Sequence, residues 1–486
     1  MSNTSRERCK AFPISNKAQS AFLKIRQESD SIQVVRMTTE VKEKSDQATE
    51  SQGDDQQTVS IRVEDLIVGR KINNPIYDTN GVLLLSAGSV VNSRFKQLLR
   101  DRNMPNVEIH NQDAAAVSLS AAFSDESAVS GIFSNEMTEK LDKLIESGSM
   151  FVANTGPAVR DSMVIHGCKG YDQEHREELF AQQQEYGESL DGMMRGALKG
   201  DTPKGSDIAG MAASYLTQLT ADADSVISAA AEAGKDETLS QHCLQMSLLG
   251  MAIGTELNLD EANVRNIGLC GLVHDWGMVR VQEKIGVWRR NLNPLELMEV
   301  QKHPIFSLEM LEDVAGIPSV VPVVCYQVHE QPNGHGYPRN RTQNMIHMFA
   351  RILNVAHSYV SLTTSREDRP ALMPYAAMEY LLRQTNDKTI DSNPMRALLN
   401  LLSLFPVGSF VTLTDGSAAR VIRRNENHYT SPIVQIIQTS EGKNADPMDP
   451  DNILDLNQSH HQIDQALPTP GKDEIDLSSE LFDGQI

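Results

Sequence analysis

Residues 264–277, VRNIGLCGLVHDWG, limit the fold more than any other feature of this chain. The stretch reads as a helix that is apolar nearly all round until it reaches His274 and Asp275. A helix without a polar face belongs inside a bundle. An uncompensated carboxylate at its end would be costly there, so Asp275 requires a partner, and a metal ion is one.

Three further apolar stretches also carry histidine. In LSQHCLQMSLLGMAIGTEL, Leu239, Cys243, Met246, Leu249 and Ile253 recur at spacings of three and four and mark one buried helix face, with His242 among them. IPSVVPVVCYQVHE ends in His329-Glu330, NMIHMFARILNVAHSYVSL contains His357, and His303 stands in KHP. A single histidine of this kind is more often a satisfied core residue than a ligand. Four on separate helices, beside an adjacent His-Asp pair, point to a metal site in a bundle core.

Imidazoles with one carboxylate suit Fe or Mn and accommodate Zn or Ni, so one or two divalent ions are expected. In the adjacent pair the imidazole can bind one ion while the carboxylate bridges to a second. Two cations about 3.5–4 Å apart clamp a phosphodiester and activate a water for in-line attack. Phosphoester hydrolysis is the reaction class such a site suits, and the motif supplies no serine or cysteine nucleophile. After His329 the chain reads HEQPNGHGYP, a turn in which Gly334 and Gly336 permit unusual backbone angles and Pro338 stiffens the exit.

In chain order, His242, His274-Asp275 with Gly277, His303-Pro304, His329-Glu330, the run Asn333 to Pro338, and Ala350-Arg351-Ile352 form one pattern. Over about 240–370 the chain therefore resembles the HD-GYP family, HD-superfamily metal phosphohydrolases that hydrolyse the bacterial second messenger cyclic di-GMP. The resemblance implies that His242, His274, Asp275 and His357 bind one metal, and that Asp275, His303 and His329 bind a second. It implies a catalytic role for Asp275 and His274, and a substrate pocket beside Gly336, Tyr337 and Pro338. Arg366 and Arg369, in LTTSREDRP, fall where the family contacts ligand phosphates.

The chain also departs from the family pattern. Val328 replaces the first of two histidines, His357 an aspartate, Met278 a lysine and Val360 a second aspartate, while Thr238 stands where three-metal members have glutamate. These exchanges imply two metals at most and slow hydrolysis. The alternative is a degenerate domain that binds a cyclic dinucleotide, or a protein, without cleaving it.

The fold class expected is mainly α: a helical-bundle HD-type domain with a small N-terminal α+β module and a C-terminal β extension. Residues 1–57 are polar and aromatic-poor and read as a disordered arm. The module spans 58–111, with Asn80-Gly81 as a hairpin turn, and 112–204 reads as a helical connector. The HD-GYP-like domain spans 205–404, the β extension with its Asp415-Gly416 turn 405–456, and an acidic disordered tail 457–486.

With 44 Lys and Arg against 65 Asp and Glu, the net charge of −21 argues against polymeric nucleic acid as a partner. Five scattered cysteines without CxxC spacing, no apolar signal-peptide core and no apolar run of membrane-spanning length predict a cytoplasmic protein without membrane insertion. The expected partner is a cyclic dinucleotide, cyclic di-GMP first. Signalling proteins and a second copy of the chain, as a homodimer, are left open.

Overall fold

Asn80-Gly81 and Asp415-Gly416 each turn a hairpin, one near each end of the chain, with Gly81 at φ 81° and Gly416 at φ 87°. The computed structural model describes residues 58–479, apart from 64–65, 67–69, 103, 119–134, 149–151, 234–237, 286–291, 293, 313, 366–369, 426–427 and 447–448. The arm expected over 1–57 lies outside the described residues.

The N-terminal module comprises β1 (Thr58–Arg62), β2 (Arg70–Lys71), β3 (Ile76–Tyr77), β4 (Leu83–Leu85), β5 (Val90–Val91), α1 (Ser93–Asp101), β6 (Asn106–His110) and α2 (Asn111–Val117). Its main sheet has the order β1-β6-β3-β4 and is antiparallel throughout, with Thr58 opposite His110 and Arg62 opposite Asn106. Alternation along β6 buries Val107 and Ile109, which pack with Ile61, Ile76 and the α1 residues Phe95 and Leu99. Asn92 caps α1 by accepting the Phe95 N–H at 2.8 Å.

The helical body runs through α3 (Glu136–Glu146), α4 (Gln173–Leu198), α5 (Gly205–Ala233), α6 (Leu239–Glu256), α7 (Glu261–Val273), α8 (Gly277–Ile285), α9 (Pro294–Gln301), α10 (His303–Leu311), α11 (Val320–Gln327), α12 (Met348–Thr363), α13 (Pro374–Gln384) and α14 (Ser392–Leu402). Its centre is α6, packed by α4, α5, α7, α12 and α14. The spacing of its apolar residues indicated one buried face, but α6 is buried on every side from Leu248 to Glu256 because neighbours surround it. No helix among the described residues is long and apolar enough to cross a membrane.

The segment read as a connector contributes to this core. Ile145 of α3, Val159, and Leu179, Leu190 and Met194 of α4 are buried in it. On α4 these apolar positions form a narrow stripe among glutamines and glutamates, so the local pattern is mostly polar.

After the helices, β8 (Phe410–Leu413), β9 (Ala418–Arg423), β10 (Ile433–Gln438), β11 (Ile453–Asp455) and β12 (Ile463–Leu467) form a sheet of order β11-β10-β9-β8-β12. β13 (Glu474–Ile475) pairs in parallel with β7 (Ala371–Leu372), which precedes α13. The acidic tail expected over 457–486 is corrected here over its described part, since β12 pairs with β8 and β13 with β7. An edge strand needs few apolar residues: Asp464 and Gln465 face solvent, while Ile475 and Leu477 pack on the helical core.

Candidate metal centre

Five helix ends or faces converge at one point because their contacts are built from small residues and caps. Thr238 caps α6, accepting the Gln241 N–H at 3.2 Å, and so places His242 in the first turn. Asp260 caps α7 in the same way, accepting the Asn263 N–H at 3.0 Å, and α7 runs apolar to Val273. His274 follows as its last-turn cap, and a tight turn in which the Met278 N–H meets the Asp275 carbonyl at 2.8 Å reverses the chain into α8.

Gly277 permits that reversal. A Cβ there would lie 2.1 Å from the His303 carbonyl oxygen and 2.6 Å from the Ser307 nitrogen, so only glycine lets α8 start against α10. Ser307 seals the contact, accepting the Gly277 N–H at 2.8 Å and donating to the His274 carbonyl at 2.7 Å. His303 thereby comes to face Asp275. His329 arrives just beyond the end of α11, and His357 from the middle of α12.

The geometry centres on Asp275, which is 6% exposed. Its Oδ1 lies 3.2 Å from His274 Nε2, 3.1 Å from His303 Nε2 and 3.5 Å from His329 Nε2, and its Oδ2 lies 3.7 Å from His242 Nε2. The His303 and His329 Nε2 atoms are 2.8 Å apart. The His357 ring is 5.2 Å from that of His242 and 4.8 Å from that of His329. Two sets of donors result, each with its atoms mutually within 4.8 Å: His242, His274, Asp275 and His357; and Asp275, His303 and His329.

Hydrogen bonding on the far side of the rings fixes which nitrogen faces inward. His274 Nδ1–H donates to the Gly271 carbonyl at 2.9 Å, and His303 Nδ1–H to the Val300 carbonyl at 2.7 Å. Both Nε2 atoms therefore point at Asp275, and it is through Nε2 that each ring would ligate a metal once that nitrogen is deprotonated. His274 Nε2 and Asp275 Oδ1 are buried without a well-formed hydrogen bond. The spacings around Oδ1 match the edge of a metal coordination shell, about 3.0–3.4 Å for ~2.1 Å bonds. The donor set fits a divalent ion at each group.

Electrostatics agree. Burial opposes the charge on Asp275, but the imidazoles of His274 and His303 outweigh it and hold the carboxyl well below its ordinary range. Burial also opposes charge on His274, which Asp275 nonetheless raises to about 10. His329 is lowered to about 4 by burial, and His357 is driven well down by burial and by its neighbouring imidazoles. One proton on His274 thus neutralises the carboxylate, and a divalent cation can displace it.

The loop after His329 packs directly on the cluster. Tyr337 stacks on the His329 ring, centroids 4.9 Å apart and planes 4° off parallel, and sits 6.1 Å from His303. Gly336 passes so close that a Cβ would lie 2.4 Å from the His329 carbonyl oxygen and 2.3 Å from the Gln331 nitrogen. Pro338 follows through a cis peptide bond. Arg366 and Arg369 lie outside the described residues. At the departures, Val328 and Val360 are buried in the apolar core, Met278 is half-buried, and Thr238 is the exposed cap of α6.

Glu330 has a part that the sequence reading left unassigned. It is 1% exposed and binds no histidine; its two oxygens accept the backbone N–H groups of Arg339 and Arg341, each at 2.7 Å, and close the loop. Burial pushes its pKa up to about 7 against those two donors. Its position directly after His329 was the available signal.

Residues 211–393 match the family model described as HD domain. A cyclic di-GMP phosphodiesterase of Pseudomonas aeruginosa (PA4108) is 29% identical over 209 residues, 43% of this chain and 50% of that protein. The cyclic di-GMP phosphodiesterase PdeB of Borreliella burgdorferi is 24% identical over 241 residues, 49% of this chain and 61% of that one. A 3′3′-cGAMP-specific phosphodiesterase of Vibrio cholerae is 29% identical over 158 residues, 32% of this chain and 36% of that one. The chain thus spans about half the length of the first two. Among solved structures, Bd1817, an HDG"Y"P protein from Bdellovibrio bacteriovorus, aligns with a TM-score of 0.37 and 18% identity over 70% of this chain and 98% of its own. Residues 211–393 thus form an HD domain, with the His329 to Pro338 loop set against its histidines.

Proposed function

We propose that this chain is a metal-dependent phosphodiesterase of bacterial signalling that hydrolyses a cyclic dinucleotide, cyclic di-GMP first. The observation that carries the reading is the meeting of five imidazoles, from α6, α10, α12 and the ends of α7 and α11, around the single carboxylate of Asp275. The names of the relatives supply the substrate class. His242, His274, Asp275 and His357 would hold one ion and Asp275, His303 and His329 a second, with Fe or Mn fitting the donors best and Zn or Ni next. Such ions supply Lewis acidity toward phosphate oxygens and lower the pKa of a water for attack on phosphorus.

The protein's own groups do the positioning. Asp275 offers one oxygen to three imidazoles and the other to His242, so it belongs to both donor sets. The Gly271 carbonyl fixes the tautomer of His274. Gly336, Tyr337 and Pro338 form the wall against which the nucleotide lies, and Arg366 and Arg369 grip its phosphates as forked donors. Met278 brings no cation to the phosphate, so turnover is slow. Free Cys168, Cys243, Cys270 and Cys325 support a reducing, cytoplasmic setting.

A second reading, a receptor that binds the nucleotide or a protein without cleaving it, is favoured by Val328, which is fully buried among apolar side chains and offers no ligand atom. Protein loaded with Fe or Mn under reducing conditions and incubated with cyclic di-GMP separates the two. Linear product that disappears in His274→Ala supports the enzyme. Tight calorimetric binding with intact nucleotide recovered selects the receptor, and neither result removes both.

A further inference from the structure

The loop beside the metal centre is gripped by two carboxylates acting on the same two residues. From within, Glu330 takes the backbone N–H groups of Arg339 and Arg341. From outside, Asp142 of α3 takes their side chains: Arg339 Nε donates to Oδ2 at 3.0 Å, and a terminal nitrogen of Arg341 donates to Oδ1. The Tyr326 hydroxyl also reaches Asp142 Oδ2, at 3.5 Å, and the Arg339 guanidinium lies over the Tyr326 ring at 5.8 Å. Arg341 is 6% exposed, so water cannot readily replace the carboxylate.

Asp142 is presented from a firmly seated helix. Met137, Leu141 and Ile145 of α3, at spacings of four, pack on the helical core. Asn135 and Thr138 form a capping box at its start, and the Asn135 side chain donates to Glu309 of α10 at 3.2 Å. This helix lies outside the HD-domain match at 211–393.

We infer that Asp142 is a positioning residue for the catalytic loop: by locking Arg339 and Arg341 it keeps Tyr337 stacked on His329 and the nucleotide-facing wall in register. The chain outside the HD domain thereby sets the geometry of the HD-domain site. The inference rests on the proposed function only for its kinetic part. Its structural part is tested without any substrate.

Trypsin cleavage of the full chain after Arg339 and Arg341, read by mass spectrometry, reports whether the loop is held. Asp142→Asn, of the same shape without the charge, is expected to raise cleavage at these bonds about tenfold through local opening, while cleavage after exposed Arg195 of α4 stays unchanged. Asp142→Glu keeps the charge and stays within about twofold of the native chain. Should the Asn variant fail to fold, Arg339→Gln removes one partner and is read by cleavage after Arg341. Unaltered loop cleavage, or an equal rise after Arg195, overturns the inference.

In the kinetic part, with Mn-loaded protein and cyclic di-GMP, Asp142→Asn raises KM about tenfold and changes kcat less than about twofold. The reverse split, kcat falling at constant KM, overturns the role in holding the substrate wall. If no form turns over, the phosphodiesterase reading fails, and the cleavage pattern alone decides on Asp142.

Discussion

Where α4, α5 and the end of α6 meet the C-terminal sheet, Asp222, Asp224, Glu232 and Glu256 face Arg423, Arg420, Arg176, Arg424 and Arg160, whereas in the helical core one carboxylate, Asp275, faces five imidazoles. In the first cluster Arg423 forks onto both oxygens of Asp222 at 2.8 and 2.9 Å, and Tyr171 lies beneath Arg423 and Arg176. Guanidinium charge is permanent, so these carboxylates meet their counter-charges within the fold. Every ion-pair partner of Asp275 among the described residues is an imidazole, whose charge is optional. The difference separates a buried cluster that carries its own cations from one built to receive them.

Removing the shared carboxylate should break the second cluster most severely. Asp275→Asn is expected to strip bound metal and to lower phosphodiester turnover by on the order of 10³-fold or more, measured by elemental analysis and product chromatography. In the first cluster, Arg423→Ala leaves Asp222 without its fork. Urea unfolding should show a loss of about 3–5 kcal/mol, with metal content unchanged. Equal metal loss in both variants would erase the distinction between the clusters.

Chelation sharpens the comparison. Dialysis against EDTA should lower the stability of the native chain by about 3–4 kcal/mol, as expected for ligand held at 10²–10³ times its Kd. It should leave Asp275→Asn where it was, because that variant has no cation to lose.

The two clusters also differ in how far they could be read from the sequence. The histidines that gather around Asp275 were legible as candidates because they interrupt helices whose other residues pack: at His242, His274 and His357 an apolar side chain would have served packing better. The pair Arg423 and Asp222 was not, since 201 residues separate them and each sits in a stretch that reads as surface charge. Only the placement of β9 against α5 brings them together. For the same reason Asp142 escaped notice, and so did β12, whose partner strand β8 begins more than forty residues earlier. The helical body and both hairpins, which follow from local periodicity and turn chemistry, were legible.

The smallest expected effect concerns a histidine that belongs to neither cluster. His347 caps α12, its Nδ1 accepting the Phe349 N–H at 3.1 Å, and burial, aided by Arg351, lowers its pKa to about 4. A folded-state value below the unfolded ~6.5 means that the unfolded chain binds more protons on acidification. Its contribution is complete above ~6.5 and is lost as pH falls toward 4, about 2 kcal/mol of it by pH 5. His347→Asn keeps a capping oxygen and cannot titrate, so its unfolding free energy should fall less between pH 7 and pH 5. An unchanged pH slope would remove His347 as the control for a satisfied core histidine.

Asp275 and its five imidazoles are preassembled by the helix packing to receive divalent cations. Elemental analysis of native chain and Asp275→Asn, both purified under reducing conditions after growth with Fe and Mn, tests this role most directly. About one to two divalent ions per native chain, and almost none in the variant, are expected. A native chain that folds and carries no stoichiometric metal, or a variant that carries as much, would contradict it.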